Sequence, residues 1–313
     1  MKNFSGLLNE NANFLDITQP IVEGGHAFTD ATGITQDEVV PTIEDIKKRF
    51  FFPILGLADD EFCLLGSAGK KANPKDISGD LDIAIYLPKV AALFQTGLNT
   101  KEILNSLQNL IKSNFPDIDT RVSIGFGICH MNWPIYGRPN EKVQVDLMLS
   151  DSIEWSKFAW HSPNLAKMES EFKGAHRNII LGEMVKSIVY EINSDKYNPE
   201  IELKPGQIKN IKRLSFDIAN GLAEVVKNYV GKRGNIIKTA KTIEKNIKTK
   251  IPSDFVRIVL GEKFDISDCN SFESLFAVLN DPDYICYDKR DIIKANTIDS
   301  IIESNLPLPR QLS

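Results

Sequence analysis

An α+β fold, with a small mixed-sheet core followed by a mostly helical C-terminal domain, is what this 313-residue chain predicts. Three observations carry the prediction. Between residues 41 and 150, short apolar runs with period-two alternation stand between segments whose apolar residues recur at helical spacing. After Ser150 only the helical spacing is read. Composition agrees with a packed protein: 42% hydrophobic and 25% charged residues, with 19 Gly and 15 Pro, exclude collagen-like, disordered and disulfide-scaffold chains.

The elements follow in order. Residues 1–40 are polar and aperiodic, with a Gly24-Gly25 pair and Gly33, and read as an arm. A helix is expected from Pro41, with Thr42 as N-cap, Asp45 three residues on, and an apolar stripe of Ile43, Ile46, Phe50 and Phe51. Glu61–Leu65 is a short strand that stops at Gly66. Leu81–Leu87 alternates Leu81, Ile83 and Ile85 against Asp82, Ala84 and Tyr86, a second strand. Thr100 is expected to cap a helix carrying Ile103, Leu104, Leu107, Leu110 and Ile111, ended by Pro116. Arg121–Cys129 and Lys142–Leu149 read as strands separated by the turn-rich Pro134–Asn140. Trp155, Phe158 and Trp160 cluster before a loop ending in Pro163. Helices are then expected from about Ser170 to Val189 and at Gln207–Asn228, Asn235–Thr249, Ser271–Leu279 and Asp288–Glu303. The organisation expected is an arm at 1–40, a mixed-sheet domain at 41–165 and a helical substrate-binding domain at 166–313.

No apolar run approaches the roughly 20 residues of a membrane-spanning helix, and Met1-Lys2-Asn3-Phe4-Ser5 lacks a signal-peptide core. No membrane partner is expected. Four cysteines (63, 129, 269 and 286) stand far apart without Cys-x-x-Cys spacing, which suggests neither a zinc site nor a disulfide framework. A reducing cytoplasm is the expected compartment.

Charge is unevenly spread. The chain is formally −5, yet residues 201–250 hold 12 Lys/Arg against 4 acids. An acidic body with a basic segment fits a carboxylate-rich site beside a phosphate-binding surface; a solvated helical face fits the same count.

The residues that carry chemistry are Gly66-Ser67, Asp80-Leu81-Asp82 and Asp146. The run Gly66-Ser67-Ala68-Gly69-Lys70-Lys71 has small residues that let backbone amides approach a polyanion, and a helix starting after it would add its positive end. Lys70 and Lys71 can offset phosphate charge, or serve as solubilising lysines. Side chains alternate along a strand, so Asp80 and Asp82 share one face and repel unless a cation sits between them. Mg²⁺, which takes a few carboxylates together with phosphate oxygens, is the expected occupant. Asp146 is the single acid in the apolar run Val143–Leu149; a lone buried carboxylate is costly, so it should face a metal, a base or a hydrogen-bond cluster.

This arrangement resembles the polymerase-β-like nucleotidyltransferase superfamily: an apolar residue, Gly-Ser, a gap of about a dozen residues, Asp-x-Asp between apolar residues, and a third Asp on a later strand. The resemblance covers residues 42–150. It implies that Gly66 and Ser67 hold the triphosphate tail of a nucleoside triphosphate such as ATP, and that Asp80, Asp82 and Asp146 hold two Mg²⁺ ions, with Mn²⁺ as an alternative. Asp146 would activate the attacking hydroxyl. The stretch Gly66–Ile85 looks closer to the RNA-tailing branch, which includes archaeal-type CCA-adding enzymes, although that branch usually has Arg/Lys-Gly-Thr where this chain has Lys70-Lys71-Ala72. Gly24–Phe28, Gly66–Lys71 and Lys173–Asn178 also resemble phage-encoded nucleotidyltransferases, which would make the compartment a host cytoplasm.

Two acceptors are compatible with that chemistry. One is an RNA 3′ end, tRNA-like or otherwise, for which Lys232, Arg233, Lys238 and Lys241 in the basic segment are the expected backbone contacts. The other is a small-molecule or protein hydroxyl, as in antibiotic-modifying and toxin-type members. A non-catalytic nucleotide-binding protein is a third reading, opposed by the intact set of three acids. Arg177 is expected either to meet the triphosphate or the base, or to form a structural ion pair.

Overall fold

Alternation at Asp80–Tyr86 puts Leu81, Ile83 and Ile85 on one side of a strand and two acids on the other, and the first half of the chain is arranged around that strand. The computed structural model describes residues 27–71, 73–94, 99–160, 174–191, 208–231 and 237–312. The chain divides into two compact units, Met1–Glu169 and Ser170–Ser313. Both mix helices with strands, so the fold is α+β.

In the first unit, β1 (Ile34–Thr35) leads into α1 (Gln36–Ile46), which passes without a break into a wider π-type winding at Lys47–Leu55. Then come β2 (Phe62–Leu64), β3 (Ile77–Ser78), β4 (Asp80–Tyr86), α2 (Leu87–Leu93), α3 (Thr100–Asn114), β5 (Thr120–Ser123), β6 (Ile128–Ile135), β7 (Arg138–Ser150) and α4 (Ile153–Ala159). Five strands form one mixed sheet in the order β2-β4-β7-β6-β5, and β1 pairs with β3 beside it. Only β4 and β7 are parallel, with Asp82 directly opposite Asp146. One sheet face carries the main core: Leu81, Ile83, Ile85, Met131, Trp133, Val143, Val145 and Leu147, covered by Val39, Ile46, Phe50 and Phe51 and by Ile103, Leu104, Leu107 and Ile111. The opposite face is polar over its centre, and at one end a smaller cluster of Cys63, Leu65, Ala84 and Ile153 covers it.

Five expectations for this unit are corrected. The first helix begins at Gln36, not Pro41, because Thr35 and Glu38 form a capping box a turn and a half earlier; Pro41 and Thr42 lie inside the helix. The arm expected at 1–40 does not hold for residues 27–40, which belong to this unit and bury Phe28, Ile34 and Val39, while residues 1–26 lie outside the described residues. The strand expected over Arg121–Cys129 breaks into β5 and β6 at Gly125-Phe126-Gly127, where Gly127 has a φ of 69°. The turn expected over Pro134–Asn140 narrows to Tyr136-Gly137. In α3 the cap is Asn99, whose side chain accepts from the Glu102 amide, rather than Thr100.

The second unit contains α5 (Gly174–Lys186), β8 (Val189–Glu191), β9 (Ile208–Asp217), β10 (Gly221–Gly231), β11 (Ile237–Thr249), α6 (Pro252–Val259), α7 (Phe272–Leu279) and α8 (Arg290–Glu303). Helices α5, α7 and α8 stand where helical spacing placed them. The helices expected at Gln207–Asn228 and Asn235–Thr249 are instead strands of an antiparallel sheet in the order β11-β10-β9-β8. The segment is rich in β-branched residues, and Asn220-Gly221 closes the β9–β10 hairpin. Its charges lie on that sheet: Glu224 pairs with Lys212 and Lys248, and Asp217 with Lys245. Among the described residues no helix is long and apolar enough to cross a membrane.

Phe50 is fully buried, edge-on to Phe115 and stacked on Trp133. Replacing it with Ala should destabilise the first unit by about 3–5 kcal/mol. All three tryptophans (133, 155 and 160) lie in that unit, so guanidinium denaturation followed by tryptophan fluorescence reads it selectively. An unchanged midpoint would show that Phe50 is not part of the core.

Candidate metal centre

Period-two alternation and parallel pairing place Asp80, Asp82 and Asp146 on one face of adjacent strands. One carboxylate oxygen from each lies within 4.8 Å of the others. Three such groups repel one another. Burial raises the Asp82 carboxyl most, and the charges of Asp80 and Asp146 raise it further, to about 7; Lys70 works in the opposite direction. A hard cation with oxygen ligands fits this donor set, since the site offers carboxylates and neither thiolate nor imidazole to it.

The loop after β2 closes against the same carboxylate. Gly66 has a φ of 59°, and a Cβ built there would stand 2.9 Å from Asp82 Oδ2, so conformation and space both require glycine. Gly69 is likewise left-handed, and a Cβ built there would stand 3.1 Å from Val39 and 3.3 Å from Leu64. Lys70 Nζ donates to the Gly66 carbonyl at 2.9 Å, and burial lowers its pKa to about 8, partly countered by Cys63 and Asp82. Lys71 Nζ donates to the Ile77 carbonyl and Ser67 is exposed. Among the described residues no helix starts directly after this loop. Its support is Gln36, whose side-chain oxygen accepts from the Lys70 and Lys71 amides while its NH₂ donates to the Asp76 carbonyl and to Ser78 Oγ.

Asp146 is the best-supported of the three acids, through residues that the sequence reading overlooked. His130 stands opposite it on β6, with Nδ1 2.8 Å from Asp146 Oδ1 and Nε2 2.8 Å from Ser123 Oγ. An ionised carboxylate only accepts, so Nδ1 carries the hydrogen and Nε2 faces the serine hydroxyl. Gln144 Nε2 donates to Asp146 Oδ1 at 2.9 Å and to Oδ2 at 3.2 Å, and its own oxygen accepts from the Ala27 amide at 2.8 Å. Oδ1 is thus held twice and Oδ2 only by the longer contact. Period two along β6 was the available signal for His130, which shares the Asp146 face only once the β6–β7 register is known.

The remaining sequence candidates fall elsewhere. Arg177 is 2% exposed in the second unit, where Nε donates to the Cys269 carbonyl at 2.7 Å and an NH₂ group to Asn178 Oδ1 at 2.8 Å; burial lowers its pKa to about 10. That corrects its assignment to the triphosphate, because the guanidinium is committed to structure. Neighbouring His176 is buried too and donates from Nε2 to the Pro307 carbonyl. Lys238 and Lys241 belong to β11, a strand where a helix was expected. Lys232 and Arg233 lie outside the described residues.

No family model matches the chain, and neither curated proteins nor solved structures show a significant match to it.

Two outcomes are expected. Between pH 3.8 and about 7 the folded chain keeps a proton on Asp82 that the unfolded chain has lost, so stability falls as pH rises through that window and the full penalty is present above it. Metal-free Asp82→Asn should therefore be more stable than wild type at pH 8, by about 1–2 kcal/mol, with the gain shrinking as pH falls through 7. Denaturation in EDTA at several pH values checks this, and a gain independent of pH would refute it. Separately, His130→Ala should weaken Mg²⁺ or Mn²⁺ binding about tenfold in calorimetric titration, while His130→Asn, which can restore a donor near the Nδ1 position, should recover part of the loss. Equal affinities in all three proteins would remove His130 from the site.

Proposed function

We propose that the chain is a metal-dependent nucleotidyltransferase of the polymerase-β-like type, moving a nucleoside monophosphate from a nucleoside triphosphate to an acceptor hydroxyl and releasing pyrophosphate. The observation that carries this reading is the meeting of Asp80, Asp82 and Asp146 within 4.8 Å, beside a glycine loop whose Gly66 leaves just enough room for the Asp82 carboxylate. Such a pairing serves phosphoryl transfer, where positioning and charge neutralisation supply most of the acceleration.

Asp80, Asp82 and Asp146 are the residues that would hold Mg²⁺ or Mn²⁺, two ions in this reading. Bound there, the metal supplies neutralisation of the phosphate charge and a more acidic attacking hydroxyl. The chain's own residues do the rest. The Gly66–Ser67 backbone receives the triphosphate tail, with Lys70 behind it. Asp146, fixed through Oδ1 by His130 and Gln144, keeps Oδ2 toward the attacking hydroxyl and accepts its proton. The hydroxyl oxygen forms the new bond to the α-phosphorus as the α–β bridging bond breaks, and the electron pair of that bond leaves with pyrophosphate.

Among acceptors we favour an RNA 3′ end, as the RNA-tailing look of Gly66–Ile85 suggests. The cytoplasm is the compartment proposed, in keeping with four free cysteines.

The test is incubation of purified protein with Mg²⁺, each of four labelled nucleoside triphosphates and a total small-RNA pool. Label should appear on RNA with wild type, and Asp82→Ala, with folding confirmed, should lower the rate by about 10²-fold or more. Pyrophosphate release without labelled RNA would move the acceptor to a protein or small-molecule hydroxyl. Undiminished transfer by Asp82→Ala would sink the assignment of the acids.

A further inference from the structure

Strand register places a fourth charged residue in line with the acids. Asp82 is opposite Asp146, Asp146 opposite His130, and His130 opposite Arg121 on the edge strand β5. Directly paired residues share a face, so Arg121 lies on the polar face, about 10 Å from Asp146 at two strand spacings. The Gly66 loop closes the other end of this row, against Asp82. The acids therefore stand between the glycine loop on one side and a guanidinium on the other.

Arg121 is exposed, and its guanidinium makes no hydrogen bond or ion pair among the described residues. It is nevertheless held in place. Its carbon lies 5.4 Å from the centroid of Phe28, a ring only 5% exposed. Phe28 belongs to a segment tied across the sheet: the Ala27 amide donates to Gln144, Asp30 accepts from Asn132 Nδ2, and the Thr32 amide donates to the Lys142 carbonyl. That contact sets the guanidinium over the Phe28 ring and leaves its N–H groups open, an arrangement that suits a phosphate.

We propose that Arg121, seated on Phe28, is the acceptor-side phosphate contact, and that the acceptor is a phosphate-bearing oligonucleotide end. The inference rests on the nucleotidyl-transfer reading. An attacking hydroxyl has to sit at Asp146, with the triphosphate on the Gly66 side. The body of the acceptor then extends over β6 and β5, and the first anion it carries inward of the hydroxyl meets Arg121. An uncharged small molecule or a protein hydroxyl would leave that fork without a partner. Arg121 touches no reacting atom, so it binds and orients the acceptor without taking part in bond making.

The test measures transfer to the small-RNA pool as a function of pool and salt concentration, for wild type, Arg121→Gln, Arg121→Lys and Asp82→Ala. Arg121→Gln should raise the acceptor KM about tenfold and flatten the slope of log KM against log salt by about one, with the nucleotide KM little altered. Arg121→Lys, which keeps the charge and loses the fork, should restore the salt slope and only part of the affinity. A purely structural role for Arg121 would leave the salt slope where it is. Turnover with an acceptor KM and salt slope independent of Arg121 overturns the inference alone, as does transfer confined to protein or small-molecule acceptors. Absence of Asp82-dependent turnover with every acceptor overturns the nucleotidyl-transfer reading, and this inference with it.

Discussion

Three carboxylates held within one metal's reach are the constraint from which the first unit is organised. Like charges at that separation, partly withdrawn from water, repel one another, and the folded chain has to hold them together without a covalent tie. Parallel pairing of β4 with β7 supplies the geometry, since it sets Asp82 and Asp146 at the same level of neighbouring strands. The surrounding groups then serve one purpose. Gly66 gives way to the Asp82 oxygen, while His130 and Gln144 put donors on Asp146. Lys70 places a positive charge behind the loop. The large apolar core on the opposite face stabilises this otherwise unfavourable arrangement, and its depth explains why the repulsion can be sustained.

Much of this was legible in the sequence because it depends on local periodicity. Asp80 and Asp82 share a face by the two-residue period of a strand, and a single acid in the apolar run Val143–Leu149 signals a partner. What was not legible depends on register and on long-range hydrogen bonds. His130 is an isolated histidine until β6 is laid beside β7. Gln144 has the Ala27 amide as its orienting partner, 117 residues away in sequence. Gln36 staples the glycine loop across 34 residues, so the segment before Pro41 could pass for an arm. The error in the second unit was of a different kind. Lysines between apolar residues over 207–249 satisfy helical spacing loosely, but Val225, Val226, Ile237, Thr239, Thr242 and Ile247 together with Asn220-Gly221 favour strands, and the β-branched residues prevail.

Arg177 shows how burial changes what a residue type implies. Beside His176 at the start of a helix, an arginine reads as an anion contact. In the folded unit its guanidinium is desolvated and donates to the Cys269 carbonyl, tying α5 to the turn that precedes α7. Arg121 is the converse case. In the sequence it is only the first residue of a single strand expected over Arg121–Cys129, with no local signal of its own. The break at Gly125–Gly127 folds β6 back against β5 and brings His130 and Arg121 side by side.

The parallel β4–β7 pairing also constrains the order in which the chain can acquire its centre. Antiparallel β6 and β7 are joined by the tight Tyr136-Gly137 turn and can find each other quickly, whereas β4 has to wait for a partner about 60 residues downstream. During synthesis, Asp80 and Asp82 emerge long before Asp146 exists. The nascent chain therefore carries two of the three acids, with no third ligand, until β7, the strand that ends the sheet core, has left the ribosome. Closure of the centre is a late, non-local event in folding. A divalent cation that binds only the completed triad would stabilise that last step rather than seed the first.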